Sequence, residues 1–135
     1  MIEVAAGLVF RGGRVLIAQR RPEDHLGGLW EFPGGKRRAG ETFEACLRRE
    51  LREELDVEVE VEGLLESVNH EYSERVVHLK FYRCRLRTGE PRPIGCQSLA
   101  WVTPFELSRY SFPAADAGLL VRLQKTPELW RESSR

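Results

Sequence analysis

Three carboxylates on one shoulder of a single helix constrain this chain more than any other feature of its sequence. Thr42 can cap a helix whose first turn carries Glu44, and the run from Phe43 to Leu55 contains no Gly or Pro. With Glu50 set at zero on a helical wheel, Glu53 falls near roughly 300° and Glu54 near about 40°, so the acids share about one third of the circumference. Leu47 and Leu51 follow at roughly 60° and 100°, which puts the acids beside the stripe that must face the core. Like charges at this spacing repel, and partial burial makes each ionised carboxylate costlier. Arg48, Arg49 and Arg52 can compensate in a solvated, salt-bridged helix, with Glu44 to Arg48 and Arg49 to Glu53 suitably spaced. A divalent cation can do so as well, because hard ions such as Mg²⁺ or Mn²⁺ take carboxylate oxygens and keep water and substrate phosphate as further ligands.

The remaining elements follow from periodicity and punctuation. Glu3 to Arg11 and Arg14 to Arg20 read as strands joined by Gly12-Gly13, a turn dipeptide. Pro22 through Gly40 reads as a long Gly- and Pro-rich loop, the kind of segment that carries function. Val57 to Val61, Arg75 to Leu86 and Trp101-Val102 read as further strands. Thr103-Pro104 starts a short helix, and Pro113 to Lys125 forms a last one with Pro at its start. With 135 residues and no internal repeat, residues 1–127 are expected to form a single domain, with 128–135 a frayed tail.

Composition closes several alternatives. The 21 Lys and Arg balance 21 Asp and Glu, so no duplex nucleic-acid partner is expected. The longest apolar run, Val4 to Phe10, is far short of the roughly 20 residues of a membrane span. No basic segment precedes an apolar stretch near Met1, and the expected compartment is the cytoplasm. Cys46, Cys84 and Cys96 show neither disulfide nor zinc spacing and read as free thiols, Cys46 half-buried on the helix.

Around the acidic helix lies a fixed framework: Gly35, five residues, Glu41, seven residues, then Arg49-Glu50-Leu51-x-Glu53-Glu54-x-Asp56-Val57. Chance coincidence of its six key positions is on the order of 10⁻⁷ per starting position. It resembles the signature of the Nudix hydrolases. Gly7-Leu8-Val9, Gln19-Arg20-Arg21, Trp30 through Lys36, Trp101-Val102 and Phe112 through Asp116 extend the resemblance to the MutT-like branch. The fold implied is α/β, an α/β/α sandwich with a central mixed β-sheet. The activity implied is Mg²⁺-dependent hydrolysis of a nucleoside triphosphate to the monophosphate and pyrophosphate, with oxidised nucleotides such as 8-oxo-dGTP as substrates. Relatives with the same elements that prefer CTP or other pyrimidine nucleotides supply one alternative, and a non-catalytic nucleotide-binding module another.

The resemblance also implies roles. Glu50, Glu53, Glu54 and the Gly34 carbonyl would bind the metal, Glu50 or Glu53 would handle the nucleophilic water, and Glu41 and Arg49 would support them by ion pairing. Arg21, Lys36 and Arg75 would contact the nucleotide, Phe32 and Trp30 would wall the nucleoside pocket, and Asp116 would hydrogen-bond the base edge. The expected partner is a small nucleotide, and the protein a monomer or homodimer. Two positions depart from the branch. Asp56 replaces a helix-ending Gly, and Asp tolerates the left-handed conformation better than most residues. Gly95 stands where the branch is expected to place a further metal-binding glutamate, leaving the helix acids to suffice with water or substrate, Glu71 or Glu90 to move in, or activity to be lower than in relatives.

Overall fold

A computed structural model describes residues 1–73 and 75–131. Nine regular elements are present among them: β1 (Ile2–Arg11), β2 (Arg14–Gln19), β3 (Trp30–Glu31), β4 (Gly34–Lys36), α1 (Phe43–Leu55), β5 (Glu58–Tyr72), β6 (Arg75–Thr88), β7 (Ser98–Val102) and α2 (Ala117–Lys125).

The sheet runs in the order β3-β2-β1-β6-β5, with β4 pairing β1 and β7 pairing β2. It is mixed. β1 and β6 are parallel from Ile2↔Val77 to Val9↔Cys84, and the other pairings are antiparallel. Alternation along β1 and β2 divides the core into two layers. Ala5, Val9, Leu16 and Ala18 face Cys46, Leu47, Leu51 and Leu55 of α1. Leu8, Phe10, Val15 and Ile17 pack with Leu119 and Leu123 of α2. The α/β/α sandwich is thus built by two amphipathic helices on opposite faces of one sheet.

Several local expectations hold in detail. Gly12 and Gly13 both take positive φ at the β1–β2 turn. Thr42 Oγ1 accepts from Ala45 N at 3.0 Å and starts α1, which ends with Asp56 in the left-handed region at φ 58. The three cysteines are free, but Cys46 is fully buried, not half-buried, because it lies on the same stripe as Leu47.

Other elements differ from the sequence reading. The Pro22–Gly40 loop contains β3 and β4, both too short to show periodicity. The strand expected at Val57 to Val61 continues to Tyr72, because three register irregularities along β5 let it stay paired where simple alternation is lost. The last helix is a 3₁₀ turn, Ala114–Asp116, leading into α2, and the helix after Thr103-Pro104 is a 3₁₀ turn over Glu106–Arg109. The tail is not frayed at its start. Pro127–Trp130 forms a 3₁₀ turn, and Trp130 is buried with its indole N–H donating to Leu123 O at 2.8 Å. The rest of the tail, from residue 132, lies outside the described residues. None of the described helices is long and apolar enough to cross a membrane.

Candidate active site

β4 brings the glycine-rich segment under the acidic helix. Its pairing with β1, Ala6↔Gly34 and Ala5↔Gly35, is so close that a Cβ on Gly34 would collide with the Ala5 carbonyl. A Cβ on Gly35 would fall within the Glu50 carboxylate, so glycine there lets the acid settle against the strand.

Arg49 organises the acids. Its Nε and Nη2 donate to Glu41 at 2.6 and 2.9 Å, and its Nη1 donates to Glu50 at 2.9 Å and Glu53 at 3.2 Å. Nη2 also reaches the Lys36 carbonyl at 3.1 Å, tying the helix to β4. The bond with Arg49, followed by the Arg38 backbone N–H, pulls the Glu41 carboxyl down to about 2. Compensation by arginine is therefore realised at Arg49, while Arg52 turns to Glu58. Glu50 is mostly covered and Glu53 is 51% exposed.

Glu54 is in a different state. Burial first, then the like charge of Glu50, with Glu31 and Glu53 adding and Arg20 opposing, raises its carboxyl to about 8. Among the described residues no three potential ligand groups are gathered into a ready-made cation cage. The donor set nevertheless suits a hard divalent ion. Glu50, Glu53 and Glu54 are oxygen donors on one helix shoulder, and Glu54 keeps its proton near neutrality unless positive charge arrives. The neighbouring carboxylate from another element is Glu31, not Glu71 or Glu90; Glu90 is held by both terminal nitrogens of Arg11 at 3.0 Å.

From Gly34 and Gly35 a cavity of about 240 Å³ runs away from the helix. Phe32, Lys36, Arg75 and Asp116 line it, and so do Arg20, Glu31, His25 and Tyr72. Phe32 stacks on Phe112 at 5.2 Å. Asp116 is 4% exposed, and burial followed by the charge of Glu31 raises its carboxyl to about 7. It makes no side-chain cap to α2, so capping does not account for its burial. Arg21 is not brought to the cavity; its Nη2 donates to Ile94 O at 2.7 Å. The adjacent Arg20 lines the cavity instead, pairing with Glu31 at 2.9 Å. Trp30, partly buried, packs edge-on against Tyr110 at 4.9 Å and lies against the α2-side core, outside the cavity lining. Glu31 is the functional candidate that motif reading passed over, although it sits inside Trp30-Glu31-Phe32-Pro33.

The NUDIX domain model matches residues 5–122. The chain belongs to the Nudix family. A Mycobacterium tuberculosis relative whose name includes 8-oxo-dGTP diphosphatase 2 is 42% identical over 124 residues, covering 91% of this chain and 88% of its own length. The CTP pyrophosphohydrolase of Escherichia coli K12 is 39% identical over 120 residues, covering 89% of each chain. The solution structure of the E. coli ORF135 protein superposes with a TM-score of 0.77 at 38% identity, covering 90% of this chain and 86% of that one. In this Nudix domain the acids and the cavity share one wall, β4, which carries Gly35 against Glu50 on one side and Lys36 beside the opening on the other.

Proposed function

We propose that this Nudix protein is a Mg²⁺-dependent nucleoside triphosphate pyrophosphohydrolase, releasing the monophosphate and pyrophosphate, with oxidised guanine nucleotides such as 8-oxo-dGTP as substrates. The observation that carries the reading is the continuity of the site: Gly34, Gly35 and Lys36 line the cavity and adjoin the acidic helix, and the buried Asp116 lines the same cavity. A nucleotide lying along it puts polyphosphate by the helix and base by Asp116.

Glu50, Glu53, Glu54 and the Gly34 carbonyl would hold Mg²⁺, or Mn²⁺ in its place, and the ion would neutralise charge on the transferring phosphoryl group. Arg49 fixes Glu50 and Glu53 through its forked bonds. Glu53, the more exposed of the two, orients and deprotonates the attacking water, while Glu50 stays against Gly35. Lys36 and Arg75 meet the phosphate and sugar, and Phe32 walls the nucleoside. Asp116, titrating near neutrality, can donate as well as accept a hydrogen bond at the base edge. The three free thiols accord with a cytoplasmic setting.

A pyrimidine triphosphate such as CTP is the second reading, favoured by the acid pair Glu31 and Asp116 on the cavity wall and by the similarity to the CTP pyrophosphohydrolase. The deciding experiment is a panel of oxidised and normal nucleoside triphosphates with Mg²⁺ or Mn²⁺, scored for pyrophosphate against orthophosphate. Preference for 8-oxo-dGTP with pyrophosphate release supports the first reading. Preference for CTP replaces it, and no turnover of any member with either ion defeats both.

A further inference from the structure

The loop between β6 and β7 does more than connect strands. Arg92 N donates to Leu55 O at 3.0 Å, and Ile94 N and Gly95 N both donate to Glu54 O, at 3.1 and 3.0 Å. Those carbonyls belong to the last turn of α1, where no intrahelical donor remains for them. The loop is further fastened by Arg92 Nη2 on Asp56 Oδ2 at 3.1 Å, by Arg21 Nη2 on Ile94 O at 2.7 Å and by Gln97 N on Gln19 O at 2.8 Å.

Gly95 lies directly on Glu54. A Cβ there would come within 2.8 Å of Glu54 Cγ, 3.0 Å of its Cβ and 3.2 Å of its Cα. These atoms are at the base of the side chain, so they cannot swing aside as a flexible tip would. Gly95 is not among the residues of positive φ, so alanine is compatible with its backbone and this contact is what forbids a side chain. The arrangement repeats that of Gly35, which makes room for the Glu50 carboxylate one turn earlier on the helix.

We propose that Gly95 is a positioning residue for Glu54: the Arg92–Gln97 loop clamps the end of the acidic helix and, by carrying no side chain at 95, sets the direction of the Glu54 carboxylate toward the cation. The inference rests on Glu54 being a metal ligand, as read above.

The test is Mn²⁺ binding to nucleotide-free protein, measured by calorimetry and electron paramagnetic resonance for wild type, Gly95→Ala, Glu54→Gln and the double variant. Gly95→Ala is expected to weaken Mn²⁺ binding about tenfold, the usual scale for loss of support around a ligand, with little further loss when added to Glu54→Gln. Unchanged binding in Gly95→Ala, or an equal loss in the Glu54→Gln background, overturns the positioning role. Wild-type affinity in Glu54→Gln overturns the ligand reading itself, so the two failures are distinguishable. Should Gly95→Ala not fold, Arg21→Gln loosens the same loop from its other anchor. It should weaken binding several-fold in the wild-type background only, and unaltered affinity would again overturn the role.

Discussion

Arg49 grips Glu41 with two parallel bonds, Nε to Oε2 at 2.6 Å and Nη2 to Oε1 at 2.9 Å, and spends its remaining nitrogen on Glu50 and Glu53. A lysine keeps the charge but has one nitrogen where the guanidinium has a fork. Arg49→Lys is expected to lower kcat about 10- to 100-fold with a smaller change in KM, because the acids proposed to handle water and metal lose their fixed rotamers while no side chain of the cavity lining is changed. Steady-state kinetics check this, and a loss confined to KM would contradict it.

Glu53 is half exposed and its carboxylate is one bond from Arg49. Glu53→Gln removes the charge while preserving shape, so metal-dependent turnover should fall by at least about two orders of magnitude, the range of general-base contributions. The melting temperature should move little, since an exposed ion pair stabilises by under about 1 kcal/mol. Near-normal turnover in a folded variant would remove Glu53 from the water-handling role.

Glu54 would give the proposed cation site a pH dependence of definite sign. With its carboxyl lifted to about 8 by burial and by Glu50, the side chain is mostly protonated at neutral pH, and an arriving cation must displace the proton. Mn²⁺ affinity should therefore climb as pH rises from about 6.5 toward 8.5, with proton release at the lower end. Calorimetry in buffers of different ionisation heat measures that release. Glu54→Gln should abolish the pH dependence along with much of the affinity; a flat wild-type profile would show that the cation displaces no proton from Glu54.

Much of this site was readable in advance, for a physical reason. The cap and the charge spacing belong to α1 itself, and Gly35 and Glu41 stand at fixed short distances before it in the chain, so Thr42, Gly35, Arg49 and the acids are signals of one short stretch of sequence. What escaped reading depends on partners distant in sequence. Glu31 becomes significant only when β3 lies beside Glu54 and Asp116, and Arg20 rather than Arg21 lines the cavity because, past the end of β2, Arg20 is held by Glu31 while Arg21 is drawn to the Ile94 carbonyl. The extension of β5 to Tyr72 was hidden by its bulges, which erase the alternation that marks a strand.

Asp116 is buried at the cavity wall with its carboxyl at about 7, raised by burial and then by Glu31. Asp116→Ala should reduce kcat/KM for the preferred base about 10- to 100-fold, the scale of one lost hydrogen bond to a charged or polar partner, while a generic triphosphate is turned over nearly as before. Equal losses on both substrates would argue against base recognition. Stability carries a second signature. The folded state binds this proton more tightly than the unfolded one, so below the unfolded value of 3.8 Asp116 is neutral in both states and costs nothing. Its contribution falls as pH rises from there through about 7. Asp116→Asn should therefore flatten the decline in melting temperature across that window.

Trp130 closes the α2 layer from a segment that composition alone would leave loose. Its ring meets Phe10 edge-on at 5.4 Å, its indole N–H reaches Leu123 O, and Arg83 packs over Phe10 at 4.6 Å while donating to the Leu129 and Arg131 carbonyls. Removing so large a buried side chain leaves a cavity and an unpaired Leu123 carbonyl together. Trp130→Ala should destabilise the protein by about 3–5 kcal/mol in urea unfolding, with kcat and KM unchanged at temperatures where it stays folded. A loss under about 1 kcal/mol would mean that the turn only rests on the surface, since that is the size of effect left by substitutions outside a packed core. A substantial loss with intact kinetics would place the end of the described chain within the folding unit and outside the chemistry.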